Sequence, residues 1–186
     1  MKRVFLIHGW EGNPEKDWFV WIKKELEQKG FNVIAPAMPD PMNPKMDAWV
    51  SYLTEAVGTP NQDTYFIGHS LGCITILRYL ETLQDDQKIG GTVLVAGFGS
   101  NLEYADYKNE LIGFFETPID WERIKKHCSS FVAIHSTDDP WVLVKHNALF
   151  REKLGARSII EQGRGHFNDK EYPVILDAFL GIITKR

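Results

Sequence analysis

Cysteine is nearly missing from this chain: Cys73 and Cys128 are the only two, far apart and in no C-x-x-C pair. That excludes a disulfide framework and the ligand spacing of a zinc site, and it makes a reducing cytoplasm the expected compartment. Long hydrophobic runs are missing too. No segment approaches the roughly 20 apolar residues of a membrane helix. The opening Met1-Lys2-Arg3-Val4-Phe5-Leu6-Ile7-His8 has too short an apolar run, and no small-residue cleavage site, for a signal peptide. Dense basic tracts are absent and the formal net charge is -4, so neither nucleic acid nor a membrane surface is an expected partner. A small molecule is. The sequence shows no internal repeat and no low-complexity linker; its 186 residues, 44% hydrophobic and 12% aromatic, fit one α/β domain spanning residues 1–186.

Apolar runs alternate with helix-patterned stretches. Val4 to Ile7 reads as a strand buried on both faces, ending at His8-Gly9-Trp10. A helix from about Asp17 carries Trp18, Trp21, Ile22 and Leu26 and stops at Gly30; strand Phe31 to Ala35 follows. Pro39, Pro41 and Pro44 make Met38 to Met46 a loop. Trp49, Leu53 and Val57 then recur at helical spacing. Further strands are expected at Thr64 to Ile67, Thr92 to Ala96, Ser130 to His135 and Ser158 to Ile160. Helices are expected after Ser70, from about Trp141 to Leu154, and near the end with Pro173 in the first turn. Residues from about 101 to 126 read as a short, irregular, aromatic-rich covering insertion. The alternation predicts a three-layer α/β/α fold with a mostly parallel sheet of about six strands, and chemistry at the strands' carboxyl ends.

At that edge lies Gly68-His69-Ser70-Leu71-Gly72, a G-x-S-x-G between a strand and a helix. Such an elbow leaves the serine hydroxyl exposed, and it gains meaning when an acid and then a histidine follow in chain order. A serine needs a base, and the base needs an orienting group. His166, between Gly165 and Phe167 late in the chain, is the candidate base. The acid is Asp138 or Asp139, with Asp139-Pro140-Trp141-Val142 favouring Asp139 through its D-x-x-V spacing; Glu103 and Asp106 are weaker options. Backbone amides of Trp10 and Leu71 are the candidate oxyanion hole. Trp10, Phe114, Phe115, Trp121, Trp141 and Phe167 are candidate pocket residues, whereas Cys73, Trp18, Trp21 and Trp49 read as core. The remaining histidines, including His8 and His69, read as packed or surface side chains.

These residues resemble the small serine hydrolases of the retinoblastoma-binding protein 9 and YdeN group, within the α/β-hydrolase superfamily. The likeness runs nearly end to end. Its most specific stretches are Gly68-His69-Ser70, Trp121-Glu122-Arg123-Ile124-Lys125, Ser136-Thr137-Asp138-Asp139-Pro140 and Gly165-His166-Phe167. The resemblance implies a reduced α/β-hydrolase sheet, a Ser70, Asp139, His166 triad, no metal, no organic cofactor, and esterase activity on small acyl esters. The namesake's L-x-C-x-E element is missing, since the comparable helix reads Leu53-Thr54-Glu55-Ala56-Val57, so that partner is not carried over. Two rival readings are a low-turnover binding or regulatory protein on the same fold and an acyltransferase using the same acyl-enzyme.

Overall fold

The structure, a computed structural model, describes residues 1–102 and 111–184. Its six strands are β1 (Arg3–Ile7), β2 (Asn32–Ile34), β3 (Thr64–His69), β4 (Gly91–Val95), β5 (Phe131–Ser136) and β6 (Arg157–Glu161), all parallel in the order β2-β1-β3-β4-β5-β6. The order reverses between β1 and β3, where crossovers leave in opposite directions and open a crevice at the carboxyl edge. Both halves of the candidate site, His8-Gly9-Trp10 and Ser70, follow those two strands.

Side-chain alternation along the strands divides the core in two. Phe5 and Ile7 join the layer built by α2 (Met46–Val57), α3 (Leu71–Thr82), α4 (Trp121–His127) and α5 (Lys145–Leu154). Val4 and Leu6 join the other, under α1 (Trp18–Gln28) and α6 (Pro173–Ile183). The expected strands and helices are present, with ends shifted by a few residues. Pro173 occupies the first turn of α6, where its missing N–H costs nothing. Among the described residues no helix is long and apolar enough to cross a membrane.

Two differences from the sequence reading concern the edge of the cleft. Trp121–His127 is a regular helix where irregular chain is expected; Asp120 caps it by accepting from the Arg123 amide at 2.9 Å. The helix after Asp139 begins only at Lys145, because Asp139-Pro140-Trp141-Val142 forms a turn around the carboxylate. Glu103, Asp106, Tyr104 and Tyr107 lie outside the described residues.

Candidate active site

Ser70 sits between β3 and α3 with φ 52° and ψ -117°, a left-handed conformation that a serine holds only when its surroundings impose it. The surroundings are closely packed on both sides of the serine. A Cβ on Gly72 would lie 2.1 Å from the Ile7 carbonyl oxygen, and one on Gly68 would lie 2.7 Å from Ile76 Cδ1 and 3.0 Å from the Cys73 amide. The glycines therefore permit α3 to press against β1, and the Ser70 amide donates to the Val95 carbonyl at 2.9 Å. Gly9 is equally close, since its Cβ would meet Ser70 Cβ at 3.0 Å. The β1 exit loop thus abuts the elbow at His69 and Ser70.

That loop is oriented by His8, which is 1% exposed. The Met38 amide donates to His8 Nε2 at 3.0 Å, so the proton of the neutral ring is on Nδ1, which donates to the Gly9 carbonyl at 2.8 Å. Desolvation lowers the His8 pKa and keeps the ring neutral. The Gly12 amide donates to the same carbonyl at 3.1 Å. Because the Gly9–Trp10 peptide is planar and trans, fixing its oxygen on one side turns the Trp10 N–H to the other. Leu71, the first residue of α3, presents an amide of the kind that has no partner within its helix.

His166 is held by Asp139. Nδ1 of the imidazole lies 2.7 Å from Oδ2 of a carboxylate that is 1% exposed. Oδ1 accepts from the amides of Trp141 and Val142, each at 2.9 Å, which fixes the carboxylate plane. With the proton on Nδ1, Nε2 is the basic nitrogen of the neutral ring. Asp138 turns elsewhere: its Oδ1 accepts from Ser136 Oγ at 2.5 Å and from the Gly165 amide at 3.1 Å, and the hydroxyl bond leads the causes that hold its pKa below the usual carboxylate range. Asp138 orders the turn and Asp139 meets the histidine.

Ser70, Leu71, Trp10 and His166 line one cleft of ≈ 320 Å³. The lining is apolar at Phe98, Leu102, Leu111, Trp141 and Val142 and polar at Glu11, Asn13, Lys16, Asp17 and Asn168. Among the described residues no three His, Cys, Asp or Glu side chains are grouped to hold a metal ion.

The family model described as serine hydrolase matches residues 4–173, nearly the whole of this arrangement. The chain belongs to the serine hydrolase family. It is 31% identical over 188 residues to YdeN of Bacillus subtilis (strain 168), whose name places it among hydrolases, covering 99% of this chain and 97% of that one. It is 32% identical over 168 residues to the serine hydrolase RBBP9 of Rattus norvegicus, covering 90% and 87%. The crystal structure of YdeN superposes with a TM-score of 0.93 at 30% identity, over 99% of this chain and 100% of that one. Est1E of Butyrivibrio proteoclasticus, solved with ferulic acid, shares the fold at a TM-score of 0.78 and 13% identity, over 100% and 89%.

In this serine hydrolase the pocket aromatics are distributed differently from the sequence reading. Trp141 lines the cleft and meets His166 edge-on at 5.0 Å. Phe114 does not: it is fully buried against Trp49, and Phe115 packs on Phe98. Trp121 packs on Phe150. Phe167 points into the opposite core layer against Tyr172. Phe114, Phe115 and Trp121 belong to or pack against the layer of Phe5 and Ile7, and Phe167 belongs to that of Val4 and Leu6. The segment carrying Phe114 is stapled to α3 by Arg78, whose guanidinium donates to the carbonyls of Phe114 and Thr117 and pairs with Glu81 at 2.9 Å. Leu111, Phe98 and Val142, none of them read as a pocket residue from the sequence, line the cleft instead. No local spacing marks Leu111, because its position depends on that distant staple.

Proposed function

We propose that this serine hydrolase cleaves carboxylic esters of modest size through Ser70, His166 and Asp139. Ser70 Oγ attacks the ester carbonyl while His166 Nε2 takes its proton, and Asp139 holds the imidazole tautomer and stabilises the imidazolium. The Trp10 and Leu71 amides receive the developing oxyanion. His166 returns the proton to the leaving alcohol; water, activated by the same base, then releases the acid from the acyl-enzyme. The observation that carries this reading is the 2.7 Å Asp139–His166 bond beside a Ser70 held at φ 52° in the same cleft. A cleft of ≈ 320 Å³ with an apolar part to its lining supports a small acyl group as substrate.

The test is hydrolysis of p-nitrophenyl esters of increasing acyl length, with fluorophosphonate labelling, in wild type, Ser70→Ala and His166→Ala. Turnover and labelling that both collapse in the variants are expected. A wild type with neither turnover nor labelling would overturn the esterase reading in favour of a binding protein on this fold.

A further inference from the structure

We propose that His69 and Trp18 are positioning residues that set His166 against Ser70 by holding the main chain of the histidine loop; this rests on the triad reading above. Neither acts on substrate through this contact. The ring of His69 hangs from the residue immediately before the nucleophile, and its Nε2 lies 2.8 Å from the His166 carbonyl oxygen. A carbonyl only accepts, so Nε2 carries the proton and donates. Trp18, from α1, donates its Nε1–H to the next carbonyl, that of Phe167, at 3.0 Å. The two donor rings pack edge-on with centroids 5.8 Å apart, and both are buried. One side chain therefore links the backbone of the nucleophile to the backbone of the base, and the second braces it from another element.

The loop is held from its other side as well. Arg164 donates its amide to Ser136 Oγ at 3.0 Å, Gly165 donates to Asp138 Oδ1 at 3.1 Å, and the Phe167 amide closes a turn onto the Arg164 carbonyl at 3.0 Å. Between these bonds Phe167 is kept at φ 57°, a conformation that a phenylalanine adopts only when over-determined. Burial pushes the His69 pKa down to about 3, so across any ordinary assay range the ring is neutral and its single proton is the one on Nε2 that the His166 carbonyl accepts. An apolar ring at position 69 would fill the same space but leave the His166 carbonyl without this donor. Rotating that peptide to find another partner would swing the imidazole, and a displacement of about 1 Å at a catalytic group costs on the order of 100-fold in rate.

The experiment compares His69→Phe, His69→Gln and Trp18→Phe with wild type by p-nitrophenyl ester kinetics and by the downfield proton NMR resonance of the His166 Nδ1–H. His69→Phe should lower kcat by about 10- to 100-fold with KM within about 3-fold, and should broaden or abolish the resonance. His69→Gln, whose amide can donate to the same carbonyl, should return kcat to within about 5-fold of wild type and keep the resonance. Trp18→Phe should move both readouts in the direction of His69→Phe, to a smaller extent. Wild-type kcat and resonance in Trp18→Phe together with His69→Phe, or His69→Gln as impaired as His69→Phe, would overturn the proposal. Should His69→Phe not fold, Trp18→Phe and His69→Gln decide it: both at wild-type values would overturn it, and a loss in Trp18→Phe alone would uphold it. A wild type without turnover whose resonance is nevertheless present, and lost in His69→Phe, would refute the esterase reading and uphold the clamp.

Discussion

Oδ2 of Asp139 meets Nδ1 of His166 at 2.7 Å, while Oδ1 of the same carboxylate is fixed by the amides of Trp141 and Val142. Rotating the carboxylate would break three bonds, so it imposes one tautomer on the imidazole. Adjacent Asp138 faces the Gly163-Arg164-Gly165 turn through Ser136 Oγ and the Gly165 amide. Two neighbouring acids thus have separable effects. Asp139→Asn would offer an amide donor to Nδ1 and force the proton to Nε2, and kcat should fall about 10,000-fold. Asp138→Asn loosens only the turn, and a loss of about 10-fold or less is expected. Steady-state kinetics of the two variants decide the assignment, which fails if Asp138→Asn is the more damaging.

The His8 ring offers a second test, on the oxyanion hole. Its Nδ1–H and the Gly12 amide share the Gly9 carbonyl, which turns the Trp10 N–H the opposite way. His8→Phe removes one of the two restraints and leaves the other. The loss should stay below the 100- to 1,000-fold typical of deleting a donor outright, at about 10-fold in kcat. A boronic acid that mimics the tetrahedral adduct should weaken in parallel; unchanged boronate affinity would separate His8 from the oxyanion site.

Much of this arrangement was readable along the chain because it depends on local pattern. A buried parallel strand is a continuous apolar run, and the elbow is five consecutive residues with a strand before and a helix after. What was not readable depends on contacts distant in sequence. Phe114 enters the core because Arg78, 36 residues earlier, holds its carbonyl. The α4 sequence Trp121 to His127 buries only Ile124 and His127, too few for a periodic signal. His8 and His69 are packed, as read, yet each also holds a loop carbonyl, and nothing in their spacing tells which one.

Acid should destabilise the protein through two buried histidines, His69 and His135, the latter at the end of β5. Desolvation lowers the His69 pKa from 6.5 to about 3 and the His135 pKa from 6.5 to about 4. In the unfolded chain both would take a proton near the ordinary value. Between the native and unfolded pKa values the unfolded state binds more protons, so the stability present above the unfolded pKa is lost as pH falls toward 4. Each histidine contributes up to about 1.4 kcal/mol per pH unit in that window. Urea unfolding at pH near 7 and near 5 reads the difference, and His135→Gln should flatten it by one proton's worth. Equal stability at both pH values would show that these rings are not buried neutral.

Gly72 tests how tightly α3 is seated. An added Cβ would lie 2.1 Å from the Ile7 oxygen and 2.8 Å from the His8 oxygen, both backbone atoms at the carboxyl end of β1 that cannot swing aside. Gly72→Ala must therefore lift α3 from β1, carrying Ser70 and the Leu71 amide away from Gly9 and Trp10. Overpacking of this kind costs about 3 kcal/mol, which for a chain of this size lowers the melting temperature by about 10 °C. Gly113 is the matched control. A Cβ there meets nothing within 4 Å, and its φ is not in the left-handed range, so Gly113→Ala should change stability by no more than about 0.5 kcal/mol. Thermal unfolding followed by circular dichroism, with ester turnover measured well below the transition, distinguishes the two effects of Gly72→Ala. Lost turnover in a still-folded variant is the expected result, because the displaced helix carries both the proposed nucleophile Ser70 and the proposed oxyanion donor Leu71; full turnover would mean that the contact with β1 does not set their geometry.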